Sequence, residues 1–339
     1  MRTIVDGSVR VDLLGGTLDI YPLNHVIPDV VTINCATGLK AKSIVDDLST
    51  PEIKIISEDY DLEKTFSLDS LNSGKLSDDE MGPLKFLLLI IKELQLDRGF
   101  SLTISSNAPT GSGLGGSSTM GCVVYKSLCQ HFDLEFDPHK AINFIQRVES
   151  KILGQGPAGY QDYYPSYFGG MLGLIPCLKK GVQVEQLYNE NFIEKIQGHF
   201  HLIYSGETRS SGINNWEVYK AFFDQKKEAY EGLNSIAVLA KKALDSIKSG
   251  EAKTFIKLVS EEGRVRESLF PKVTTPLMKE FEKKCLAQDS GFIGLKVCGA
   301  GGGGCFLAIT LTSGADFSNI ADELGMKILP FTIDTPNEL

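Results

Sequence analysis

The stretch NAPTGSGLGGSSTMGC, residues 107–122, decides how this chain is read. It follows the alternating, strand-like FSLTIS and leads into a segment whose Met120, Val123, Val124 and Leu128 recur at helical spacing. A strand, a glycine loop and a helix N-terminus together make an anion site. Unpartnered backbone N–H groups point outward there, the helix dipole favours negative charge, and glycine lets phosphate oxygens approach. Ser117 and Ser118 stand where the helix begins, placed to cap it, to meet phosphate or to reach a metal. Gly111-x-Gly113-x-x-Gly116 also fits a dinucleotide fingerprint, but Asn107–Thr110 separates it from the strand, which that tight turn disfavours. A Walker-type loop needs a lysine before its Ser/Thr, and none is present. A capped helix with a flexible lead-in is the plain alternative.

A second loop, KVCGAGGGGCF (296–306), interrupts two apolar, strand-like runs. Consecutive glycines cost conformational entropy that a mere connector does not need. Close approach of the backbone to a neighbouring loop or to a ligand accounts for them. Two such loops in separate halves of the chain suggest a nucleotide held in a cleft between domains. Near the start, VRVDLLGGTLDIYPL (9–23) alternates Val9, Val11 and Leu13 with Arg10 and Asp12 before Gly15-Gly16 turns the chain. It reads either as a hairpin with solvated charges or as a strand end presenting Arg10 and Asp19 to one site.

The 339 residues carry a formal net charge of −9 and are 42% hydrophobic, a length that suits two domains. The acidic balance argues against nucleic acid, which calls for a basic stripe, yet allows a small anionic ligand. Seven scattered cysteines without CxxC pairs read as small buried hydrophobes in a reducing compartment, not as a metal site or a disulfide frame. Met1-Arg2-Thr3 opens a mixed polar strand rather than a signal peptide, and the apolar block Phe86–Ile91 is too short to span a bilayer. The expectation is a soluble cytoplasmic chain, monomer or homodimer, with no membrane or nucleic-acid partner.

Strands are expected at 8–14, 29–35, 41–46, 53–57, 100–105, 167–176 and 200–205, and helices at 82–95, 117–131 and 138–153. After Asn214 come long amphipathic helices at 214–248, 251–266 and 275–286, then the glycine run and a short βαβ-like ending. Strands with segregated helices imply α+β layering. A soft boundary near residue 195 divides the chain into 1–195, with the phosphate loop and the catalytic candidates, and 196–339, with the second glycine loop.

In HKAINFIQRVESKILGQG (139–156), Ile142, Ile145 and Ile152 form an apolar stripe on which Glu149 also falls. A carboxylate on such a stripe is paired, protonated or metal-bound. An edge glutamate pairing with Arg147 or Lys151 is the simpler account. Asp162 stands among tyrosines in GPAGYQDYYPSYFGGM (156–171), where a turn aspartate is the ordinary explanation.

Taken together, PTGSGLGGSS resembles the central phosphate loop, CGAGGGGC the third motif and VRVDLLGGTLD the first motif of the GHMP kinases, in the expected order. The family is named for galactokinase, homoserine kinase, mevalonate kinase and phosphomevalonate kinase. The resemblance implies an N-terminal domain like ribosomal protein S5 domain 2 and a ferredoxin-like C-terminal domain, with ATP and Mg²⁺ as cofactors. It implies that Pro109, Gly111, Ser112, Gly113, Leu114, Gly115, Gly116, Ser117, Ser118, Gly301 and Gly302 bind the nucleotide. Ser117 and Glu149 match the magnesium ligands. Asp162 matches the catalytic base or orienting carboxylate, and Arg10 the basic residue that pairs with it and steadies the transferring phosphoryl group.

Homoserine kinases lack that aspartate, so its presence points to the sugar and mevalonate branches. Gly16 and Thr17 replace the Glu-His pair of the galactokinase first motif, which is closer to the glycine-rich motif of heptose-phosphate kinases. Gln161-Asp162-Tyr163-Tyr164, Phe168-Gly169-Gly170 and LIYSGETRSS (202–211) look like segments of those kinases as well. The resemblance therefore implies a sugar or sugar-phosphate substrate held by Asp19, Gly16, Tyr163 and Gly302. A mevalonate-type kinase and a catalytically inactive sugar- or nucleotide-binding sensor are the alternatives, with a dehydrogenase a distant fourth reading.

Overall fold

Strand β1 (Arg2–Leu14) alternates exposed and buried residues over its first half and is buried throughout its second, so its two ends lie in different surroundings. The structure is a computed structural model describing residues 1–154, 158–208, 215–288 and 291–338. Its contacts define two compact units that interleave along the sequence. Met1–Val9, Leu39–Ala108 and Gly116–Tyr167 make the first; Arg10–Gly38, Pro109–Gly115 and Phe168–Leu339 make the second. The expected boundary at residue 195 falls within the helix Glu190–Gln197 of the second unit. Interleaving arises because β1 and β2 (Thr32–Asp47) each run from one unit into the other.

In the first unit, Ala41–Asp47 of β2 pairs antiparallel with β5 (Phe100–Ser106). Next to β5 lies β3 (Glu52–Ser57), parallel to it, and β4 (Leu62–Ser67) closes the edge. The longer helices of the unit are α1 (Lys85–Leu94), α2 (Gly116–His131) and α3 (Pro138–Leu153). Ile53, Ile55, Phe100 and Leu102 of the sheet share a core with Leu88, Ile91, Val124 and Leu128 of the helices. Each such side chain stabilises the fold by about 1.5–3 kcal/mol. Local signals bound α3 closely. Asp137 accepts the Lys140 N–H at 2.8 Å as N-cap, Pro138 opens the helix, and Gly154 ends it.

In the second unit, the Thr32–Cys35 end of β2 pairs with β6 (Met171–Cys177), which forms a hairpin with β7 (Gly181–Gln186). There follow α4 (Glu190–Gln197), β8 (Phe200–Tyr204), α5 (Asn215–Phe223), α6 (Lys227–Lys248), α7 (Ala252–Leu269) and α8 (Pro276–Leu286). The chain continues through β9 (Phe292–Val297), β10 (Cys305–Thr310), α9 (Ser318–Glu323) and β11 (Lys327–Leu329). The last four strands, β8 to β11, pair antiparallel in the order β11-β8-β10-β9. With helices between β8 and β9 and between β10 and β11, this is the βαββαβ ferredoxin-like pattern. The α+β class and the ferredoxin-like ending are as expected.

Several local readings change, and neither β7 nor α4 had been expected. The strands expected at 29–35 and 41–46 are one strand, β2, kept continuous by successive pairing with β6 and β5. The helix expected over 214–248 is two, because the chain breaks at Gln225, whose φ is 57°. No glycine or proline marks that break. Strand β4 was not expected; it is an edge strand on which only Phe66 is buried, so its apolar signal is weak. The ends of the segments 202–211 and 156–171, at 209–211 and 156–157, lie outside the described residues. All seven cysteines are free thiols; six are buried and Cys177 is half-exposed. Among the described residues no helix is long and apolar enough to cross a membrane.

Candidate active site

The glycine stretch folds as a loop that runs into α2, whose first residue is Gly116. Ser112 N–H donates to Pro109 O at 3.1 Å, which tightens the loop into a turn. Within the second unit this loop is gripped from two sides. On one side, Arg10 of β1 donates its backbone N–H to Leu114 O at 3.0 Å and its Nη1 to Gly113 O at 2.7 Å. Arg10 is itself buried, as are Ser112 and Leu114, while Gly111 is exposed.

On the other side stands the second glycine loop. Cys305 N–H donates to Ser112 O at 2.7 Å. A Cβ on Gly304 would lie 2.6 Å from that same oxygen, and one on Gly299 would run into Gly113 O. Both residues have left-handed φ values, +80° and +61°. Only glycine permits this conformation and this approach at once. Of the two accounts left open by the sequence, a neighbouring loop is therefore what the backbone meets. Gly301 closes against Val273, and partly exposed Gly302 donates its N–H to Val273 O at 2.9 Å.

In the first unit, Glu149 of α3 receives two hydroxyls on one oxygen. Ser118 Oγ donates to Oε2 at 2.8 Å and Tyr163 Oη at 2.6 Å. Burial pushes the Glu149 carboxyl above its usual range and the charge of Asp162 adds to the rise, while both hydroxyl donors oppose it. Asp162, partly buried, thus acts electrostatically on Glu149, and on Tyr163 as well. Ser117, expected with Glu149, is exposed in the first turn of α2; the hydroxyl on Glu149 is that of Ser118. Tyr163, expected against a substrate, is buried with its hydroxyl on Glu149. Burial drives that hydroxyl far upward, so it remains a donor. The sequence offered no signal for this pairing, since neighbouring serines and tyrosines differ only in the direction the backbone gives them.

In the second unit, Gly16–Leu18 form a 3₁₀ turn that ends on Asp19, 3% exposed. Tyr219 Oη of α5 donates to Thr17 O at 3.4 Å and braces the turn. Thr17 Oγ1 and, nearby in sequence, Asn24 Oδ1 are buried without a hydrogen bond from the protein. Asn24 went unnoticed in the sequence because a lone asparagine after a turn carries no pattern.

These residues fit a nucleotide and a hard cation. At Gly116, in the first turn of α2, a methyl group would meet nothing within 4 Å, so an anion has room at the helix N-terminus. One carboxylate with neighbouring hydroxyls suits Mg²⁺, which keeps several waters and takes the rest of its ligands from phosphate oxygens.

Residues 83–170 match the model of the GHMP kinases N terminal domain. Over that stretch the chain is similar to the GHMP kinases. It is 28% identical over 207 residues to the D-glycero-alpha-D-manno-heptose 7-phosphate kinase of Campylobacter jejuni, across 60% of this chain and 59% of that protein. It is 30% identical over 226 residues to the mevalonate kinase of Pyrococcus abyssi, across 65% of this chain and 62% of that one. The matches thus span less than two thirds of either relative's length. The crystal structure of a D-glycero-D-manno-heptose 1-phosphate kinase from Bacteroides thetaiotaomicron has the same fold, with a TM-score of 0.75 at 19% identity over 99% of this chain and 97% of that one. The glycine loop, Glu149 and Asp162 lie inside the matched stretch, whereas Arg10, Asp19 and the second glycine loop lie outside it.

Proposed function

We propose that this chain transfers the γ-phosphoryl group of ATP to a hydroxyl of a sugar or sugar phosphate. The observation that carries the reading is Glu149, a carboxylate held by Ser118 and Tyr163 with the charge of Asp162 beside it. Phosphoryl transfer needs positive charge on the phosphates and a group that orients or deprotonates the acceptor. Glu149 and Ser117 would hold Mg²⁺, which neutralises phosphate charge when bound. Pro109–Ser118 cradle the phosphates, Asp162 takes or orients the acceptor hydroxyl, and Arg10 supplies positive charge as the phosphoryl group moves. Asp19 receives the substrate's hydroxyls. Thr17 Oγ1, buried in that turn without a protein partner, supports a polyhydroxylated ligand there.

The 30% identity to a mevalonate kinase favours a second reading, in which the acceptor is an isoprenoid acid. Release of ADP is measured for the purified chain with Mg²⁺-ATP against a panel of hexoses, heptoses, sugar phosphates and mevalonate. Turnover with a sugar is the expected result. Turnover with mevalonate alone replaces the sugar reading, and ATP binding without turnover on any acceptor assigns the chain to the sensors.

A further inference from the structure

Behind the second glycine loop lies a set of charges that the reading above does not use. Asp12 of β1, Lys296 of β9, and Glu262 and Arg266 one turn apart on α7 are all buried, with exposures of 1%, 0%, 0% and 5%. Lys296 Nζ sits 3.0 Å from both Asp12 Oδ2 and Glu262 Oε2, and Arg266 Nη1 lies 3.4 Å from Asp12 Oδ2. A fifth charge, Arg10, shares the face of β1 with Asp12 two residues on, and acts electrostatically on it. Stability alone gives no reason for such a cluster, because apolar residues of the same shape serve a core as well or better.

Arg266 is where the cluster grips the backbone. Its Nη1 donates to Val297 O at 3.1 Å and its Nη2 to Gly299 O, the carbonyls on either side of Cys298. Gly299 abuts Gly113, and Gly113 O accepts the Arg10 guanidinium. The circuit closes from Arg10 through Gly113, Gly299 and Arg266 to Asp12, two residues from where it began. A run of glycines has no side chains with which to hold itself, so its carbonyls are what a scaffold can seize. We propose that Asp12, Lys296, Glu262 and Arg266 are positioning residues that clamp the 298–305 loop onto the 109–115 loop.

The consequence for nucleotide binding rests on the function proposed above; the clamp itself does not. Arg266→Lys keeps the charge but loses the planar fork that reaches two carbonyls. Amide hydrogen exchange is followed at Gly302, Gly304 and Cys305, whose N–H groups are bonded to Val273, Glu207 and Ser112. It is compared with Leu295 and Leu307, inside β9 and β10. The loop amides are expected to exchange about tenfold faster in the variant, as for loss of one charged hydrogen bond, with the strand amides little changed. Calorimetric affinity for ATP is expected to fall by a similar factor. Exchange that rises evenly across loop and strands, or not at all, overturns the proposal. If the unaltered chain binds no ATP, the nucleotide reading fails and the exchange ratio alone decides the clamp.

Discussion

Tyr163 donates its hydroxyl to Glu149 Oε2 at 2.6 Å, onto the oxygen that also accepts Ser118. Two donors on one oxygen fix the direction of the carboxylate and oppose the rise that burial imposes on it. A carboxylate so prepared is suited to a cation. Glu149→Gln preserves the shape and removes the charge, so binding of Mg²⁺-ATP should weaken far more than binding of ATP with metal chelated. Calorimetry with and without Mg²⁺ separates the two, and equal losses would make Glu149 a structural carboxylate.

Asp162→Asn should lower phosphoryl transfer by about 10²–10⁴-fold if the carboxylate takes the acceptor proton. ATP affinity should barely move. Single-turnover rates with saturating Mg²⁺-ATP test this, and a near-normal rate would remove Asp162 from the chemistry.

The two glycine loops predict opposite outcomes for one added methyl. Gly304→Ala places a Cβ against Ser112 O at a left-handed φ and should cost at least about 1–3 kcal/mol of stability. Gly116→Ala meets open space and should leave the melting temperature unchanged. Its ATP affinity should nonetheless fall if phosphate occupies that space. Thermal melts and calorimetry on the same two proteins read both effects.

Asp19→Ala should raise the KM for the sugar steeply while ATP affinity stays constant. Deoxy sugars lacking the contacted hydroxyl should be poor substrates for the unaltered chain and less disfavoured by the variant. A polar site loses most when its own group is left unpaired. Equal discrimination by both proteins would place the contact elsewhere.

The buried charges give stability a pH dependence of two signs. Burial alone would raise Asp12, but Lys296, Arg266 and Arg10 hold it below the usual carboxylate range. Its contribution is therefore present above the unfolded value and lost as pH falls through the folded one. Glu262 is raised by burial, with Lys296 opposing and Asp12 adding to the rise. Folding takes up a proton there, so stability declines as pH climbs from the unfolded to the folded value. Asp12→Asn should cost about 3–5 kcal/mol at neutral pH by uncovering buried cations. Glu262→Gln should flatten the decline, as urea midpoints across the acid-to-neutral range will show.

Much of the fold was legible because its signals are local. Asp137, Pro138 and Gly154 bound α3 within a residue of expectation, and the apolar run 86–91 lies on the helix assigned to it. What stayed hidden depends on partners distant in sequence. Gly299 and Gly304 announce a close approach, but only the folded chain shows that Gly113 and Ser112 lie opposite them. Likewise Asp12 reads as a solvated strand residue until Lys296 and Arg266 are found beside it. The sequence placed Glu149 on an apolar stripe, while only the folded chain shows that Ser118 rather than Ser117 reaches it.

The distribution of thiols makes the molecule addressable by labelling chemistry. Burial pushes Cys122 and Cys298 up to about 12 and Cys129 to about 11, leaving little thiolate to react. Cys177, half-exposed at the turn between β6 and β7, is instead drawn below its ordinary value by the backbone N–H groups of Lys179 and Lys180. A maleimide dye or spin label added to the native chain should therefore attach at one known position without any cysteine being engineered in or out. Distances to a fluorescent nucleotide can then be measured on the unaltered sequence.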